Sequence, residues 1–161
     1  MPLQQCIIST KKLADASGLD FVQYPTLDNF KGGFLMEGAE SSGKTMTMVR
    51  TIGASVTPSS KDTSTRLPTI IHHTYDVHTE NPVIERLVLP EIKGPNGLAL
   101  SEGVIATDLS ESECNNKIRE IYDKVRDELG DSELCKSEIN IYIRSCKCPS
   151  IVLIDVPGLV K

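Results

Sequence analysis

Gly38, Gly43, Lys44 and Thr45, in the stretch "GAESSGKT" at residues 38–45, stand at the spacing G-x-x-x-x-G-K-S/T. These residue types suit one task, which is holding a chain of phosphates. The glycines let backbone N–H groups curl round phosphate oxygens, and a helix that follows turns its positive end towards them. A lysine at the position of Lys44 reaches the β- and γ-phosphates, and a hydroxyl at Thr45 can ligate Mg²⁺. A second group belongs to the same chemistry. The run "IVLIDVPGL" places Asp155 at the end of an apolar strand and Gly158 three residues later. An acid there can hold Mg²⁺ through water, and a glycine lets a backbone N–H approach a γ-phosphate. Ser41 and Ser42 complete the loop. Glu40 lies inside it, a carboxylate where an anion is to be held.

The loop needs a strand before it and a helix after it. "FLME", residues 34–37, is a short apolar run between glycines and reads as a buried strand. "KTMTMVRTIG" puts Met48, Val49 and Ile52 on one helical face, with Gly53 placed to end the helix. Residues 54–68 form a polar loop rich in Ser, Thr and Pro. "TIIHHTYDV" and "IERLVLP" read as two strands, as in a hairpin, and "EIKGPNGLALSEG" reads as a loop. Ser110 and Glu113 make an S-x-x-E capping box. Ile118, Ile121, Tyr122, Val125 and Leu129 then repeat at helical spacing, and Gly130 closes the helix. Ile139, Ile141 and Ile143 alternate in a strand. The continuous apolar run at 151–154 predicts a central strand buried on both faces. Strands alternating with helices predict an α/β fold.

Bulk properties exclude other classes. The chain has 161 residues, with 17 basic against 22 acidic side chains and a net charge of −5. That is not the footprint of a nucleic-acid binder. No apolar run approaches the ~20 residues that span a bilayer, and no secretory signal opens the sequence. The five cysteines are odd in number and irregular in spacing, which fits a reduced, cytoplasmic chain. Cys146 and Cys148 find no second ligand pair for zinc. His72 and His73 are neighbours in an extended run, so they face opposite ways and cannot share one ion.

Taken together, "GAESSGKT", "TSTRLPTII" and "LIDVPGL" resemble the GTPase domain of the dynamin family. They match its phosphate loop, its first switch segment with Thr-Arg-x-Pro, and its D-x-P-G. The long interval between Lys44 and Asp155, with an extra helix inside it, also resembles dynamins. The resemblance implies a P-loop NTPase three-layer sandwich with a mostly parallel central sheet, here incomplete. It divides the chain into a leading segment, 1–32, and the N-terminal portion of a dynamin-type GTPase domain, 33–161. It implies GTP and Mg²⁺ as ligands, with Gly38, Ser41, Ser42, Gly43, Lys44, Thr45, Asp155 and Gly158 at the nucleotide. Thr45, Thr65 and Asp155 would serve the metal. Glu40, Ser41 and Thr65 would sit where the catalytic groups act, Ser41 helping to seat a monovalent cation. It further implies self-association through the GTPase domain. Membrane remodelling or organelle fission would follow in a complete protein, through lipid-binding modules elsewhere, with a cytoplasmic location that includes organelle surfaces.

The sequence departs from the family pattern in three places. Glu40 stands where the family usually has Gln and sometimes Asp. Ser60 and Asp62 replace the glycines whose carbonyls reach the monovalent cation. The guanine-reading T/N-K-x-D is expected beyond Asp155 and does not occur before Lys161. An ending at Lys161 is expected to leave the strand at 151–154 with one unpaired edge, to lower solubility, and to leave little bias between GTP and ATP.

Overall fold

A computed structural model of the chain describes residues 32–36, 42–58, 67–94, 97, 99–129 and 137–157. Among the described residues, ten elements run in the order β1 (Gly32–Met36), α1 (Lys44–Ile52), β2 (Thr69–Tyr75), β3 (Val83–Val88), β4 (Glu91–Lys93), β5 (Ala99–Glu102), β6 (Ile105–Ala106), α2 (Glu111–Leu129), β7 (Ile139–Ser145) and β8 (Ile151–Asp155). Six strands form one sheet in the order β1-β8-β2-β7-β3-β6. The β1–β8 and β2–β7 pairs are parallel, whereas β2–β8, β3–β7 and β3–β6 are antiparallel. The fold is α/β as expected, but the sheet is mixed rather than mostly parallel.

Alternation in the sequence becomes one buried face. Thr69 lies opposite Asp155 and Ile139, and Ile71 opposite Leu153 and Ile141. His73 lies opposite Ile151 and Ile143, and Leu87 opposite Ile141. All of these are buried. Helices α1 and α2 cover this face: Thr45 of α1 bonds Asp155, and Tyr122 of α2 bonds Thr69. Met48 and Ile52 from α1, and Ile118, Ile121 and Val125 from α2, complete the core. Among the described residues this gives two of the three expected layers. On the opposite face Ile70, Val152 and Ile154 are only half-buried. The run at 151–154 is therefore central but not buried on both faces. On that face His72 stacks on Tyr142, ring centroids 4.4 Å apart, and Arg86 lies 4.1 Å over the Tyr142 ring.

Three further expectations change. β2 and β3 are not a hairpin, because β7 lies between them. The segment read as a loop, 91–103, contains β4 and β5, which pair as a separate two-stranded sheet. β8 has neighbours on both sides, β1 and β2, so its edges are paired. The outer position falls to β1, where Phe34 and Leu35 are 56% and 52% exposed rather than buried.

The start of α2 is fixed locally. Ser110 Oγ accepts from the Glu113 N–H at 3.2 Å, and the Ser110 N–H donates to Glu113 Oε2 at 2.9 Å. This is the reciprocal capping box read in the sequence. Ser110→Ala is expected to lower stability by about 1 kcal/mol. Urea denaturation measures it, and an unchanged midpoint would count against the cap.

His73 joins β2 to the turn before β8. Its Nδ1 lies 3.0 Å from the Pro149 carbonyl, which only accepts, so Nδ1 carries the proton. Nε2 then accepts the Ser145 hydroxyl at 2.8 Å. Burial lowers the pKa below its ordinary 6.5, with the Pro149 contact acting in the opposite direction. Below pH 6.5 the unfolded chain therefore binds more protons here than the native one. Stability is full above that pH and falls as pH drops through the lower native value, by at most ~1.4 kcal/mol per pH unit. His73→Gln is expected to flatten the stability profile just below pH 6.5. Equal slopes for both proteins would exclude His73 as the cause.

Candidate functional site

The helix that follows the loop begins where the backbone turns left-handed. Gly43 has φ 85° and ψ 14°, a conformation a glycine adopts at little cost. The first intrahelical bond runs from the Thr47 N–H to the Gly43 carbonyl at 3.0 Å. The first turn of α1 contains no acidic residue, so nothing on it opposes an anion at its positive end. Gly53, at φ 71°, ends the helix with its N–H on the Val49 carbonyl at 2.9 Å. Met48 and Ile52 anchor the helix in the core, which leaves Lys44 and Thr45 half-buried at its start.

Asp155 is the last residue of β8 and is 1% exposed. Thr45 Oγ1 donates to its Oδ2 at 2.6 Å, across 110 positions of sequence. The two oxygen donors expected to serve Mg²⁺ are thus adjacent, one at a helix start and the other at a strand end. Both are hard ligands, as Mg²⁺ requires. No group of three or more metal-binding side chains occurs among the described residues. Mg²⁺ keeps several waters and takes phosphate oxygens, so a hydroxyl and a carboxylate are a sufficient protein share of its ligands. The donor set therefore fits the ion.

Of the residues singled out in the sequence, Ser42, Gly43, Lys44, Thr45 and Asp155 are described and lie at this corner. Gly38, Glu40, Ser41, Thr65 and Gly158, with Ser60, Asp62 and Arg66, lie outside the described residues. The family model of the dynamin family matches residues 35–161. The chain belongs to the dynamin family. No curated protein matches it. Dynamin-type domains are GTP-binding GTPase domains with a P-loop fold, and the described strand β1 and helix α1 of this chain are consistent with it.

Two neighbours of the site escaped the motif reading. Thr69 is the cross-strand partner of Asp155. Its hydroxyl lies 3.0 Å from that of Tyr122, which is 3% exposed. Burial, together with the Asp155 charge, pushes the Tyr122 phenol up, while the Thr69 bond opposes this. Periodicity places Tyr122 in the core, which is where it lies, but periodicity carries no information about its hydroxyl. Elsewhere Cys148 is buried, and burial raises its thiol pKa.

Proposed function

We propose that this dynamin-family chain binds GTP with Mg²⁺ through the motif residues 38–45 and Asp155, and hydrolyses it slowly. The observation that carries the reading is the 2.6 Å contact between Thr45 and Asp155 at the start of α1. In this reading Lys44 neutralises the β- and γ-phosphates. The N–H groups of the loop and of the first helical turn surround them. Thr45 and Asp155 would hold Mg²⁺, which when bound would supply positive charge against that developing on the transferring group. Thr65 would add its hydroxyl to the metal, Gly158 its N–H to the γ-phosphate, and Ser41 a contact to a monovalent cation. Self-association and membrane remodelling follow from family resemblance alone. Among the described residues no helix is long and apolar enough to cross a bilayer.

Slow turnover follows from Glu40. An amide can both accept from and donate to the attacking water and the transferring group, whereas an ionised carboxylate only accepts. A carboxylate also repels the phosphates. At ~4 Å and an effective dielectric of ~20 that repulsion is about 4 kcal/mol before Mg²⁺ and Lys44 offset it. Glu40→Gln is expected to accelerate hydrolysis about tenfold, equivalent to about 1.4 kcal/mol of barrier. Single-turnover GTP hydrolysis by the two proteins tests this. A much slower Gln variant would make Glu40 a working catalytic group and sink the present account of the loop.

A further inference from the structure

Four elements meet at the end of β8. Thr45 of α1 donates to Asp155, and Asp155 lies directly across from Thr69 at the start of β2. Thr69 Oγ1 lies 3.0 Å from Tyr122 Oη of α2 and 3.4 Å from the Leu67 carbonyl. Leu67 and Thr69 are fully buried, and Tyr122 and Asp155 nearly so. Thr69 has one proton to give. Donated to the Leu67 carbonyl, it leaves a lone pair for the Tyr122 hydroxyl, and both hydroxyls are then satisfied. The neighbours of Tyr122 on the buried face of α2 are Ile118, Ile121 and Val125, all aliphatic. Packing alone does not require a phenol there, and burying a hydroxyl is costly unless it is bonded.

We propose that Tyr122 is a positioning residue for the metal side of the nucleotide site, acting on Asp155 through Thr69. The proposal rests on the Mg²⁺–nucleotide reading above. Tyr122 touches neither nucleotide nor metal. By donating to Thr69 it fixes that hydroxyl towards Leu67. Without the phenol, the Thr69 hydroxyl is free to rotate onto the carboxylate across the strand, where directly opposed side chains start ~5 Å apart. A carboxylate occupied in that way is a poorer acceptor for a Mg²⁺-bound water.

The test uses the full chain and a fluorescent N-methylanthraniloyl GDP, titrated with Mg²⁺ and separately in EDTA. Tyr122→Phe is expected to raise the half-saturating Mg²⁺ about threefold to tenfold, the worth of one hydrogen bond. Its affinity in EDTA should stay within about twofold of the unmodified chain. Adding Thr69→Val to Tyr122→Phe removes the competing hydroxyl and leaves a matched apolar pair, so Mg²⁺ dependence should return to within about twofold. Ile118→Val, which thins the same helix face without touching a hydrogen bond, should leave the Mg²⁺ midpoint unchanged. The inference is overturned by an unshifted midpoint in Tyr122→Phe, by an equal loss in EDTA, by no rescue in the double variant, or by the same shift in Ile118→Val. If the unmodified chain shows no Mg²⁺ response, the functional reading itself fails, and the inference falls with it.

Discussion

Lys44→Ala is expected to weaken binding of Mg²⁺–GTP about a hundredfold or more. Lys44 is the first residue of α1, immediately after the left-handed Gly43, and is half-buried. In the proposed site its ammonium bonds oxygens of two phosphates. Each charge-assisted hydrogen bond contributes roughly 1.5–3 kcal/mol, and two of them account for a factor of that size. Alanine is the best helix former, so α1 should persist, and the loss should appear in binding and not in folding. Isothermal titration with GTP, beside a circular-dichroism melt, separates the two. A loss below threefold, with the fold intact, would show that Lys44 does not face phosphate.

The largest effect on stability is expected at Ile141. It is fully buried in β7, with Ile71 of β2 on one side and Leu87 of β3 on the other. Cutting it to alanine removes three carbons from a site enclosed by two strands and the helix layer. Such truncations cost about 2–5 kcal/mol, a large share of the ~5–15 kcal/mol that holds a domain together. Val152→Ala, on the half-buried face of β8, should cost clearly less because its surroundings are already partly wet. Urea denaturation of both variants checks the order. If Val152→Ala proved the more damaging, the assignment of the two faces would be reversed.

Local signals carried much of this structure in the sequence. The capping box at Ser110 and Glu113 depends on residues three apart, and it formed as read. Alternation in "INIYIRS" gave β7 with Ile139, Ile141 and Ile143 buried. The motif also singled out Thr45 and Asp155, which the fold brings within 2.6 Å of each other. What was not legible is non-local. Alternation says which face a strand buries but not which strand lies beside it, so the insertion of β7 between β2 and β3 could not be read. The run "FLME" looks buried because it is apolar, yet Phe34 and Leu35 are exposed, since β1 has a single strand neighbour among the described residues. Short strands such as β4 and β5 hide among Gly and Pro. The Tyr122–Thr69 bond joins residues 53 positions apart, and helical periodicity marks Tyr122 only as apolar.

The central claim is that Thr45 and Asp155 form the metal side of a GTP site. Its most direct measurement is the binding of N-methylanthraniloyl GTP to the unmodified chain, followed by fluorescence with Mg²⁺ and then with EDTA. The account predicts saturable binding that unlabelled GTP displaces, weakened about tenfold or more when the ion is removed. Binding that is indifferent to EDTA, or no saturable binding at all, would contradict it.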